Sequence, residues 1–118
     1  MNKRNIDQMI PHAVQKLHSL VKGGSIDKVY SGYLSSFGPT VISSGILQTV
    51  MFYSADKNKN RVLKIMYELI QDSLKSDASS METMLTQNEN FKDYDIKNRI
   101  LEANIACKLA IRTFDLKE

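Results

Sequence analysis

The chain has 118 residues, 42% of them hydrophobic and 25% charged, with a formal net charge of +3. That suffices for one domain with a real core and is short for two. A single cysteine excludes an internal disulfide, and with only two histidines it leaves too few soft ligands for a structural zinc site. The charge is uneven: residues 1–75 carry 10 basic and 5 acidic side chains, whereas residues 76–118 carry 6 and 8. The first two-thirds therefore suit a polyanionic partner better than the last third.

The N-terminus has basic residues at Lys3 and Arg4 but no apolar run behind them, because Asp7, Gln8, Pro11 and His12 intervene. It does not read as a signal peptide, and the cytoplasm is the expected compartment. Ile6, Met9, Ile10, Ala13, Val14, Leu17, Leu20 and Val21 fall on one stripe at helical spacing. Pro11 lies inside the stripe, so the spacing predicts a helix that starts before it and kinks there. Gly23-Gly24 reads as a helix stop. Long alternating runs of β-branched and aromatic residues are absent, and no sheet is expected.

From Val29 to Ala55 there are 27 residues without a charge. Scattered Ser, Thr, Gly, Pro and Gln leave no stretch of about 20 predominantly apolar residues, which argues against a membrane span. Two helices split at Gly38-Pro39 are predicted, with Ser25 capping the first and Pro39 in the first turn of the second. The second, near 39–55, is apolar around much of its circumference and is expected in the centre of the core or under a partner. Gly45 within it costs up to about 1 kcal/mol relative to Ala, so a close helix crossing is expected there. Gln48, one turn later, can bond across that crossing or reach outward.

After a polar loop at 56–60, a helix near 59–75 carries Val62, Leu63, Ile65, Met66, Leu69, Ile70 and Leu74 on one face. Arg61, Lys64, Glu68, Asp72 and Lys75 lie opposite. Ser79-Ser80-Met81-Glu82 has capping-box spacing and predicts a short helix with Met84 and Leu85. Asp93 is placed to cap a last helix running to about Phe114. Its main stripe is Ile96, Ile100, Ala103, Cys107, Ala110 and Phe114. A second stripe, Tyr94, Leu101, Ile105 and Leu109, is also read as buried, with use as an interface the alternative. The fold class is thus all-α, a compact single-domain bundle of about five or six helices over residues 1–118.

Catalytic constellations are missing from this sequence. His12 and His18 point about 120° apart on a helix and do not converge. Cys107 on an apolar stripe reads as a buried, inert thiol. Asp93 and Asp95 suit helix capping. No phosphate-cradling Gly loop, dinucleotide fingerprint or His-Glu-x-x-His occurs, so neither enzyme activity nor a metal or cofactor is expected. The densest basic cluster is Lys57, Lys59, Arg61 and Lys64, in a loop and first helical turn where backbone N–H groups are expected free to meet phosphate. No aromatic stacking partner is evident beside it, so binding of a single-stranded polyanion by the isolated chain is expected to be weak or not measurable. Lys16, Lys22 and Lys28 form a second set of candidates for polyanion contact.

The stretch from Lys28 to Tyr53 is the most distinctive. Pro39, Val41-Ile42, Gly45, Gln48-Thr49 and Phe52 stand where the small helical subunit of the type III-B CRISPR effector, the Cmr complex, has a break, an apolar pair, a Gly-Leu-x-Gln-Thr-like step and a Phe. The chain resembles that family, with Ile46 for the usual Leu and Val50-Met51 for the common Leu-Ala, changes that keep volume. The resemblance implies a non-catalytic antiviral-defence subunit whose copies stack head to tail in a minor filament. Other Cmr subunits, neighbouring copies and the guide RNA/target RNA duplex would be its partners, and it would help line the target-RNA channel. A helical protein–protein adaptor without a nucleic-acid role is the alternative.

Overall fold

The computed structural model describes all 118 residues. Of these, 75% are helical, more than twice the roughly one-third average. The first helix, α1 (Lys3–Leu17), starts at Asn2, whose side chain accepts from the backbone N–H groups of Arg4 and Asn5. It runs on through Pro11, which is exposed, so the bond Pro11 cannot donate leaves the carbonyl of exposed Asp7 open to water. The α-helix ends earlier than its apolar stripe suggests, and His18–Leu20 tighten into a 3-10 turn.

Gly23-Gly24 is more than a stop. Both residues have positive φ, 59° and 85°, as a two-residue type I′ hairpin requires. They join β1 (Val21–Lys22) to β2 (Ser25–Asp27), in register Lys22 to Ser25. A third strand, β3 (Leu116–Lys117), pairs parallel with β2. The expectation of no sheet is corrected here: two- and three-residue strands are too short to leave an alternating pattern.

The predicted split at Gly38-Pro39 does not occur. One helix, α2 (Lys28–Ser44), is capped by Asp27 rather than Ser25 and passes through both residues. Pro39 is exposed. Nearby, Thr40 Oγ1 donates to the Ser36 carbonyl at 2.7 Å and Ser36 Oγ to the Gly32 carbonyl at 2.9 Å. On the inner side, Asn104 Nδ2 donates to the Leu34 carbonyl at 3.0 Å. The break falls instead at Gly45, with φ 84° and ψ 162°, a region only glycine occupies readily. A Cβ there would meet nothing within 4 Å, so conformation, and not a helix crossing, demands this glycine.

Helix α3 (Ile46–Ala55) follows, and the single residue Asp56 joins it to α4 (Lys57–Ile70). The polar stretch expected as a loop is therefore largely the first turn of α4. Helix α5 (Met81–Thr86) is capped by Ser80, which accepts from the Thr83 N–H, and α6 (Tyr94–Ile111) by Asp93, which accepts from Asp95 and Ile96. The central helix is α6, packed on α1, α2 and α4, and not the 39–55 segment. Small buried Ala103, Ala106, Cys107 and Ala110 let neighbouring helices approach it. Its second stripe is not buried as expected: Tyr94 is 70% and Leu109 40% exposed, and Leu101 and Ile105 are half-buried.

Two polar side chains in α6 are buried and satisfied. Glu102 accepts from the Asn2 backbone N–H at 2.8 Å, from Asn5 Nδ2 at 3.3 Å and from Arg99 at 3.1 Å, tying the chain's start to its last helix. Asn104 makes the α2 contact described above.

Candidate nucleic-acid interface

The α3–α4 corner organises the surface that matters. Asp56 lies between the helices, and its carboxylate accepts from the backbone N–H groups of Asn58 at 2.9 Å and Lys59 at 3.0 Å. The Lys59 bond first, then that from Asn58 and the Lys59 charge, hold this exposed carboxyl below its usual range. The chain's own carboxylate thus occupies two of the N–H groups expected to be free for phosphate.

The same corner folds Lys59 back over aromatic rings. Its Nζ lies 4.6 Å from the Phe52 centroid, 5.6 Å from Tyr53 and 5.7 Å from Tyr33. Cation–π contacts of this kind contribute about 0.5–1 kcal/mol at exposed sites. The rings are anchored inward. Tyr53 donates to the Tyr33 carbonyl at 2.6 Å, bonds Ser36 Oγ at 3.1 Å and packs edge-on against fully buried Phe37 at 5.2 Å. Burial pushes the Tyr53 phenol above its usual range, with the Ser36 bond partly opposing. Phe52 keeps 60% of its surface exposed. The expectation of a basic cluster without aromatic neighbours is corrected by this geometry.

The other cluster members divide by role. Arg61 faces the fold: one nitrogen donates to Tyr30 Oη at 2.7 Å and another to the Ser19 carbonyl at 3.4 Å, with the guanidinium 5.5 Å from the Tyr30 ring. Lys57 and Lys64 are exposed, and neither makes an ion pair within 4.0 Å. Glu68, spaced to pair with Lys64, instead reaches Lys16 on α1 at 3.8 Å. Lys75 lies beyond α4 in a turn with φ 52° and leaves the row. Of the second set, Lys28 pairs with Glu118 at 3.5 Å, and Lys22 is exposed on β1 without an ion pair. The cluster's lysines, Lys57, Lys59 and Lys64, are therefore without an ion pair, but helical spacing puts Lys57 and Lys64 on the side of α4 away from Lys59, which alone of the three lies against α2 and α3; Lys16, Lys22 and Lys28 are not gathered into one site either.

Beside Lys59 lies an uncharged surface. On α2, Val29, Pro39 and Ile42 are exposed, Ile42 by 87%; on α3, Gln48, Met51 and Phe52 are exposed. Of the four residues singled out by sequence, Pro39, Gly45, Gln48 and Phe52 all lie on the surface. Tyr30, Tyr33 and Tyr53 were not anticipated as site residues. Tyr30 and Tyr33 fall one turn apart in α2, a spacing that does not reveal which cation they meet, and Tyr53 in α3 leaves no such signal.

No three His, Cys, Asp or Glu side chains come together as metal ligands. His12 and His18 are exposed, and His18 packs edge-on against Phe114 at 5.0 Å. Cys107 is buried, and burial pushes its thiol up to about 12. No helix is long and apolar enough to cross a membrane. Among protein families, the sequence profile described as CRISPR-associated protein (Cas_Cmr5) matches residues 6–111. No curated protein and no solved structure matches the chain.

Proposed function

The chain belongs to the CRISPR-associated Cas_Cmr5 family, the Cmr5-type small subunits of type III-B CRISPR complexes, and from that premise we propose that it is a non-catalytic, RNA-channel subunit of such a complex. In this reading it works in the cytoplasm in antiviral defence, beside the other Cmr subunits. Copies stack head to tail in a minor filament, and each presents its basic corner to the guide RNA/target RNA duplex. One observation carries the reading: Lys57, Lys59 and Lys64 are without ion pairs, and Lys59 stands beside an uncharged helical surface. Charge-depleted apolar patches suit protein contacts, and unpaired lysines suit phosphates. Head-to-tail stacking needs two different faces on each copy. The α2 face around Ile42 and the outer stripe of α6 at Tyr94 and Leu109 supply a pair.

The test is a salt titration of target-RNA binding by the assembled complex. It compares the parent subunit with a variant carrying Lys57→Ser, Lys59→Ser and Lys64→Ser, after equal incorporation is checked. Arg61 stays in place because it holds Tyr30. Lost phosphate contacts release fewer counterions, so affinity drops and the salt slope flattens, with sequence preference unchanged. Identical slopes would remove the RNA-channel role and leave a protein adaptor.

A further inference from the structure

Phe52 and Lys59 form an arrangement that phosphate contact alone does not explain. Phe52 keeps 60% of its surface exposed, so much of its ring is open to a ligand. Lys59 lies against that ring at 4.6 Å, is half-buried, and has no ion-pair partner. The nearest carboxylate in sequence, Asp56, is engaged as a helix cap. One turn before Phe52, on the same face of α3, the Gln48 amide is exposed and takes part in none of the chain's hydrogen bonds. A flat apolar surface, a fixed cation and a free amide side by side answer to the three parts of a nucleotide: base plane, phosphate and base edge.

We propose that Phe52 and Lys59 hold one unpaired nucleotide of an RNA strand, the base stacked on the Phe52 ring and the phosphate on the Lys59 ammonium. This deepens the RNA-channel reading and rests on it. Lys59 Nζ covers one face of the ring and also lies 5.6 Å from the Tyr53 ring, which is fixed to α2 through the Tyr33 carbonyl, Ser36 and Phe37, so the base takes the opposite face. A stacking surface fixed in this way binds without first being ordered. Gln48 adds a donor and an acceptor to the base edge.

A protein partner is the competing occupant, and an unpaired ammonium set on the ring face argues against it. Protein-interface centres are depleted of lysine, whereas base stacking beside a cation is a recurrent mode of single-strand binding.

The experiment uses the assembled complex with guide RNA, and compares parent, Phe52→Leu, Phe52→Tyr and Lys59→Gln subunits. Incorporation is measured by sedimentation and target-RNA affinity as a function of salt. Stacking on one ring corresponds to about a 5- to 150-fold change in affinity. Phe52→Leu is expected to weaken target binding within that range with an unchanged salt slope, and Phe52→Tyr to restore it. Lys59→Gln is expected to weaken binding and flatten the slope. If Phe52→Leu binds target like the parent while Lys59→Gln flattens the slope, stacking is overturned and the phosphate-contact reading stands. If neither variant changes affinity or slope, and the triple lysine variant is equally silent, both readings fall together. If Phe52→Leu fails to incorporate, the face is a protein contact and the proposal is overturned.

Discussion

Replacing Gly45 distinguishes two physical reasons for a glycine. Its φ of 84° and ψ of 162° lie where an L side chain costs of the order of 1–3 kcal/mol. Space is not limiting, since a Cβ would meet nothing within 4 Å. Gly45→Ala and Gly45→Leu should therefore destabilise to a similar extent. For a 118-residue chain the unfolding entropy is about 0.25 kcal/mol/K, so the midpoint should fall by about 4–12 °C. Thermal melts followed by far-ultraviolet circular dichroism would read this. D-Alanine placed there by semisynthesis should cost little, because its favoured dihedrals are the mirror image of L-alanine's. A Gly45→Ala protein that melts like the parent, or a Leu variant far worse than Ala, would refute the conformational argument and restore a packing one.

Removing Arg61 by Arg61→Ala should lower the melting temperature, since the guanidinium bonds Tyr30 and the Ser19 carbonyl; a lysine lost at 57 or 64 should leave the melt unchanged. Glu102→Ala leaves the Asn2 N–H and Asn5 without their acceptor and should cost about 2 kcal/mol, read by denaturant unfolding, with amide exchange rising first at the start of α1. Cys107 should resist alkylating reagents in the native state and react on unfolding, because its thiol is buried and held neutral. The raised Cys107 value also sets a sign: above the ordinary 9.0 the unfolded chain gives up a proton that the folded chain keeps until about 12, so stability should fall across that window. Cys107→Ala should make the fall shallower in melts taken across it.

Periodicity located the helices where an apolar face meets water. The α4 face from Val62 to Ile70 was legible because charge on the opposite side sharpened it, and Asp93 marked the start of α6. The uncharged α2–α3 stretch offered no such contrast. Gly38-Pro39 looked like the boundary there, yet Pro39 is exposed and Asn104 supports the inner side of the helix from far along the chain, while the real corner at Gly45 depends on a backbone angle. The charges at 57–64 were visible, but their division was not. Arg61 meets Tyr30, 31 residues away, and Lys59 meets Phe52 only because a one-residue joint turns α4 back on α3. Such contacts arise from tertiary geometry and leave no local pattern.

The parallel pairing of β2 with β3 has a consequence for the order in which the chain assembles. Ile26 faces Leu116, and the nearby Lys28–Glu118 pair spans 90 positions, so this contact closes a loop containing nearly every helix. The β1–β2 hairpin closes two residues and can form within microseconds. The β2–β3 pairing brings in only two residues of β3 and carries the large entropy of ring closure until the helices have docked and shortened that loop. The C-terminal strand is therefore a latch, last to engage and first to open.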